Sequence, residues 1–352
     1  MSPAPRSQPS VPPWSAGIVA ALLLTLERPA GWAIALAGFL ARGGLVVFLL
    51  PIMILPTPAG LQAQMAPLVV PFLFGEVGTG VLVLAAALAG LVLAWLVIGG
   101  LIGAWTDVQL IRDAVAEDAI TTVPAHGPRI VMDVLAARLI THAPLAVALA
   151  WGAARIVATV YAELLTPFEV VTPIAVRIVA GAPDAVGAVV ATWLLGEAAG
   201  GLAAREVAVM GRAAPAAAVA GWIQLLGRPL ASAGTFGLTS AALVIAVAPG
   251  LVAATVAWSW VRAVLFGSGQ PGELVVALAA FVGLWLGALA LAGFGTALRS
   301  NAWTTEWLRR RSGQPEAPGA TPPMGWPIVG TIGDAEATRP GGWPSSGASG
   351  TV

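Results

Sequence analysis

Apolar residues gather in six runs near or above the length needed to cross a bilayer, at roughly 31 to 55, 80 to 102, 144 to 165, 186 to 204, 230 to 256 and 274 to 298. A helix rising ~1.5 Å per residue needs ~20 such residues to cross hydrocarbon. The fourth run is the shortest and carries Glu197. Ahead of the first, Trp14, Ile18, Val19, Leu22, Leu23 and Leu26 recur at helical spacing over a stretch too short to span. That pattern predicts an amphipathic helix lying in the membrane interface. A signal peptide is disfavoured there: no small-x-small cleavage site follows, and the segment ends at Glu27-Arg28-Pro29 before a longer apolar stretch. Residues 1–13 and 312–352 are rich in Pro, Ser or Gly with no apolar period, so both ends are expected to be disordered around a membrane domain at 14–311. The predicted fold is all-α and polytopic, with six transmembrane helices and both termini on one side.

Composition sharpens the class. Of 352 residues, 58% are apolar and only 10% charged, well under half the charged fraction of a soluble domain. There is no Cys, which excludes disulfides, thiolate nucleophiles, iron–sulfur clusters and Cys-ligated zinc. Every basic residue is Arg, so a P-loop lysine, a Schiff-base lysine and a catalytic lysine are excluded as well. His126 and His142 are the only imidazoles, too few for a multi-His metal site, and no cofactor is implied.

The arginines orient the chain. The N-terminal segment, the loops after spans two and four and the C-terminal segment together hold 13 arginines, against Arg177 and Arg262 on the opposite side. By the positive-inside rule, both termini are expected in the cytoplasm, with the chain in a bacterial inner membrane. Arg309, Arg310 and Arg311, just past span six, read as a topology anchor able to touch anionic lipid, and nothing points to nucleic acid.

A repeat is visible at the edges of the spans. Leu23-Leu24-Thr25-Leu26-Glu27-Arg28-Pro29 precedes span one, Leu139-Ile140-Thr141-His142-Ala143-Pro144 span three, and Ile223-Gln224-Leu225-Leu226-Gly227-Arg228-Pro229 span five. Each is a short amphipathic stretch ending at a proline suited to the first turn of the next helix. Gly99-Gly100-Leu101, Gly200-Gly201-Leu202 and Ala292-Gly293-Phe294 mark the even spans. The expected unit is an interfacial helix, a span, an outer connection and a returning span, at about 14–118, 128–210 and 216–311. Crossing twice, the three hairpins would be parallel repeats about an axis along the membrane normal. The outer segments 60–74 and 170–180 are apolar but too short to cross, and read as re-entrant or surface pieces.

The Arg-Pro after an amphipathic helix, the Thr-Pro at 57–58 and 166–167, and the Gly-Gly-Leu of the even spans resemble a group of uncharacterised six-span bacterial membrane proteins. That group is similar to the membrane domain attached to some glycerophosphodiester phosphodiesterases. The resemblance covers about residues 14–311 and implies architecture alone. Only a tail follows Arg311, so the hydrolase activity is not carried over.

Ionisable groups at membrane depth cost a few kcal/mol, so each is a functional candidate. Three stand out: Arg42 and Arg155, at similar distances from the proline that opens their spans, and Glu197 within Gly196-x-x-x-Gly200, a spacing that lets helices approach closely. An Arg–Glu pair between spans is the expectation. It has two readings, a structural pair that fixes helix register and an ion or anion pathway. On the other polar edge, Asp107, Asp113, Glu117, Asp118 and Asp133 gather near His126 and His142 without a metal-ligand spacing. No Gly-x-Ser-x-Gly elbow, Walker pattern or dinucleotide fingerprint appears in a fitting context, so enzymatic function is not expected. The leading functional reading is a scaffold, assembly or lipid-interacting factor. The alternative is a permease-like protein with a site between repeats near Arg42, Arg155 and Glu197.

Overall fold

The computed structural model describes residues 14–53, 78–117, 127–165, 174–267 and 270–312, together with Gly60, Val70, Pro71, Gly75 and Thr172. Most of 60–74, the segment 313–352 and residues 1–13 lie outside the described residues. Among those described, every regular element is helical, in the order α1 (Trp14–Glu27), α2 (Pro29–Phe39), a π-turn (Leu40–Gly44), α3 (Leu45–Leu49), α4 (Thr79–Glu117), α5 (Pro128–Thr141), α6 (Ala143–Leu165), α7 (Ile174–Ala180), α8 (Pro183–Met210), α9 (Ala214–Gly227), α10 (Pro229–Phe266) and α11 (Pro271–Ser312).

Six stretches are long and apolar enough to cross a membrane: Pro29–Leu49, Thr79–Ala116, Ala143–Glu163, Pro183–Met210, Pro229–Phe266 and Pro271–Arg311. This is a membrane protein of six candidate spans. Prolines sit in the first turn of α2, α5, α8, α9 and α10, where a missing N–H leaves no bond unmade. The helix α8 stops at Gly211, which takes a left-handed conformation at φ 63° that other residues resist.

The helices α4, α8 and α11 run on well past the ends of their apolar stretches, and their C-terminal portions contribute much of the main core. Val108, Ile111 and Val115 of α4, Val134 and Ala137 of α5, Leu202 and Val207 of α8, Ala217 and Leu225 of α9, and Trp303 and Trp307 of α11 form one buried cluster. The N-terminal half of α4 is bare. Residues 82–98 of α4 are all exposed although nearly all are apolar. Such a surface is costly in water and neutral against lipid tails, which solvate apolar side chains as well as protein does.

Three helices of 14 residues, α1, α5 and α9, each precede a candidate span after a single residue. The helix α1 packs on α11, α5 on α8, α9 and α4, and α9 also on α8, while α2 packs on α11 and α4, α6 on α8 and α10 on α11.

The first span departs from the expected continuous helix. It is interrupted at Leu40–Gly44, where Gly43 takes φ 111°. Only glycine adopts that conformation without a steric penalty. The carbonyl of Ala41, in the interrupted turn, accepts the indole N–H of Trp95 at 3.0 Å, and that of Phe48 accepts from Trp285 at 2.9 Å. Two tryptophans thus satisfy backbone groups that the break and the end of the span would otherwise leave exposed to an apolar medium.

Candidate functional site

The interruption matters because of what it carries. Arg42 lies in the π-turn and reaches across to α4, donating through Nη2 to the carbonyl of Gly103 at 2.8 Å and to Oδ1 of Asp107. Gly103 makes this contact possible: a Cβ there would stand 2.5 Å from Arg42 Nε. π-Turns inside helices recur at functional sites, because the extra residue redirects a side chain.

Asp107 is shared. Its Oδ2 lies 2.7 Å from Nη2 of Arg138, contributed by α5. Burial disfavours the Arg138 charge, but Asp107 and Glu197 beside it outweigh that cost and hold its pKa above the ordinary value. Glu197 of α8 stands among three cationic or basic groups at looser distances: Arg299 Nη2 at 3.5 Å, His142 Nε2 at 3.6 Å and Arg138 Nη1 at 3.7 Å. These are longer than direct hydrogen bonds. His142 Nδ1 is 2.8 Å from the carbonyl of Arg138. A carbonyl only accepts, so Nδ1 carries a proton and Nε2 is the nitrogen that faces Glu197. The spacing Gly196-x-x-x-Gly200 seats this corner, since Cβ atoms there would meet His142 Cδ2 at 2.8 Å and Thr141 Oγ1 at 2.9 Å.

Arg205, one turn below Gly201 on α8, is 3% exposed. Its Nε donates to Thr304 Oγ1 at 3.2 Å, Nη2 to the carbonyl of Ser300 at 2.7 Å, and Nη1 to the carbonyl of Gly201. All of these acceptors are neutral. Among the described residues no carboxylate lies within ion-pairing distance of Arg205, which leaves a buried guanidinium with three of its five N–H donors on neutral groups and no carboxylate paired to its charge. Arg299 of α11 adds a fourth guanidinium, stacked 4.7 Å over the Phe236 ring.

Arg42, Asp107, Arg138, Glu197, Arg205 and Arg299 line one cavity of about 210 Å³. Thr106, Thr296 and Ser300 add hydroxyls, while Phe39, Trp193, Leu243 and Trp303 give it an apolar flank. Within this lining, Arg138 Nε, Thr296 Oγ1 and the carboxylate oxygen Asp107 Oδ2 are buried without a hydrogen-bond partner in the protein. Comparison with family models, curated proteins and solved structures found no match. The site must therefore be read from its own chemistry.

Of the three charges singled out in the sequence, Arg42 and Glu197 line this cavity, and Arg155 does not. Arg155 pairs with Asp184 at 3.2 Å near the start of α8, with both side chains 46% exposed. The carboxylate directly bonded to Arg42 is Asp107, and the cationic neighbours of Glu197 are Arg138 and Arg299, both of which lay in stretches read as polar edges. Arg309, Arg310 and Arg311 all face carboxylates of the chain. Arg309 and Arg310 bond Glu306, and Arg311 bonds both oxygens of Glu206 at 3.0 and 2.9 Å. Glu206 is fully buried and also accepts from Gln224 at 2.6 Å and Trp307 at 2.8 Å.

Proposed function

We propose that this is a non-enzymatic integral membrane protein whose function is to bind an anion in the arginine-lined cavity, and that it acts as a lipid-interacting factor of a bacterial inner membrane with both termini in the cytoplasm. One observation carries the reading: four guanidiniums face only two carboxylates in a largely buried space, and one of the four, Arg205, has neutral partners alone. A purely structural ion-pair network would match charges, because an uncompensated buried charge costs several kcal/mol. A site that waits for an anion leaves charge in excess. Of the acids gathered near the two histidines, Asp107 lines the arginine cavity, while Asp118 and His126 lie outside the described residues.

The fold reading extends the same way. The three 14-residue helices, each followed after a single residue by a candidate span, support three parallel hairpin repeats at about 14–118, 128–210 and 216–311. On that reading the cavity takes Arg42 and Asp107 from the first unit, Arg138, Glu197 and Arg205 from the second, and Arg299 from the third. The resemblance to the membrane domain of some glycerophosphodiester phosphodiesterases is kept as an architectural proposal only.

The interrupted span favours a second reading. Broken helices beside polar groups line binding sites in transporters, and the π-turn at Arg42 is such a break. Binding and flux are separable by experiment. Purified protein in liposomes, titrated with anions and assayed for anion movement, should show stabilisation by an anion that depends on Arg42 and Arg299. Stabilisation without flux supports a lipid-interacting factor, and Arg42-dependent flux supports a permease. Indifference to every anion would sink both.

A further inference from the structure

We propose that the anion is a doubly charged phosphate: a terminal phosphate monoester or inorganic phosphate, held by Arg205, Arg299 and Nε of Arg138. This rests on the anion-binding reading above and names its ligand class.

Charge gives the first argument. With Arg42 and Arg138 joined through Asp107, and Glu197 set against Arg138 and Arg299, the lining carries two positive charges more than negative ones. A dianion restores neutrality inside a low-dielectric enclosure, whereas a monoanion leaves one guanidinium uncompensated. Phosphate diesters and carboxylates carry one charge, while a terminal phosphate near neutral pH carries between one and two.

Shape gives the second. Guanidiniums come from α5, α8 and α11, so donors converge from three helices, and this suits a tetrahedral oxyanion better than a planar one. Arginine forks bind phosphate oxygens in pairs, a geometry that lysine does not provide. The buried Arg138 Nε and Thr296 Oγ1, without protein partners, are groups that a phosphate oxygen would satisfy. Size gives the third. About 210 Å³ lies below the usual range for drug-sized metabolites and fits a headgroup phosphate with a few waters. The flank of Phe39, Trp193, Leu243 and Trp303 accommodates the first carbons of an ester arm.

Free phosphate and a lipid phosphomonoester share this chemistry, so the test has two arms. Purified full-length protein in nanodiscs of neutral phosphatidylcholine is titrated calorimetrically with inorganic phosphate, and with chloride and nitrate as monoanion controls. In parallel, thermal unfolding is followed in nanodiscs that contain phosphatidic acid, a monoester, or phosphatidylglycerol, a diester.

Binding of phosphate, or stabilisation by phosphatidic acid beyond phosphatidylglycerol, is the expected result. Arg299→Gln should weaken it roughly ten- to hundredfold, the worth of a charge-assisted contact. Arg205→Lys serves as a second variant that keeps the charge and loses the fork. Arg155→Ala should leave binding unchanged. A response to inorganic phosphate alone identifies a solute site, and one to phosphatidic acid alone a lipid site. Arg299-dependent binding of chloride, nitrate or phosphatidylglycerol without preference for the phosphate probes would overturn the dianion assignment and leave the anion reading standing. No Arg299-dependent response to any of these probes would overturn both.

Discussion

Arg138 Nη2 stands 2.7 Å from Asp107 Oδ2, which ties the short helix α5 to the returning helix α4 at the point where Arg42 crosses from the broken span. One carboxylate therefore fixes three elements. Asp107→Asn keeps the shape and removes the charge, leaving two guanidiniums to repel each other. We expect a loss of roughly 3 kcal/mol, in the range for breaking a buried pair by removing one partner. Denaturant unfolding in detergent should register it, and a cycle with Arg138→Met should show strong coupling. Additive effects would mean that the two residues do not act together.

Glu197 offers the opposite test. Its cationic neighbours stand 3.5 to 3.7 Å away, so it contributes field more than hydrogen bonds. Glu197→Gln should lower stability modestly and tighten anion binding several-fold, because the cavity gains net positive charge. Weaker binding in this variant would show that the carboxylate positions the arginines instead of opposing the ligand.

Gly43 and Gly103 hold the break in different ways. Gly43→Ala places a Cβ at φ 111° and should cost about 1–2 kcal/mol, the usual strain of a left-handed residue. Gly103→Ala instead pushes on the Arg42 side chain, since the added carbon would meet Nε at 2.5 Å. It should disturb binding more than folding. Calorimetry and thermal unfolding on both variants would separate these effects.

Arg155→Ala should change stability by less than about 1 kcal/mol, because an ion pair with both partners nearly half exposed is worth little. A larger loss on melting would point to a role that its contact with Asp184 does not explain.

The Glu206 cluster is a structural lock at the end of α11. Glu206→Gln removes the charge that Arg311, Arg212, Gln224 and Trp307 all face, and should cost roughly 3 kcal/mol or more, the worth of several charge-assisted hydrogen bonds. Trp307→Phe removes one bond to that carboxylate and should cost about 1.5–3 kcal/mol. Urea unfolding in detergent should rank the two in that order.

The spans were legible in the sequence because hydrocarbon demands unbroken apolar runs, and nothing local competes with that demand. Most of the cavity was not legible. Arg138, Arg205 and Arg299 sit where hydropathy falls, and a window average cannot distinguish the end of a span from a helix that continues into a protein core. A finer signal exists around Arg205: Ala198 to Ala204 and Val207 to Val209 are small or apolar on both sides of the charges, as a buried helix requires and a solvated loop does not. Arg42 was visible as a charge in an apolar run, but its partner depended on the π-turn, which shifts the register by one residue. Counting from the opening proline therefore matched Arg42 to Arg155. In three dimensions Arg42 meets the C-terminal half of α4, and Arg155 the start of α8.

The bare stretch of α4 acts as a lever. Residues 82–98 amount to about 25 Å of rod with no buried face among the described residues, while the same rod carries Gly103 and Asp107 at its anchored end. A helix of this kind answers a change in bilayer thickness by tilting. We therefore expect a change in acyl-chain length to bear on the contact between Arg42 and Asp107 through a part of the chain that touches none of the cavity's arginines.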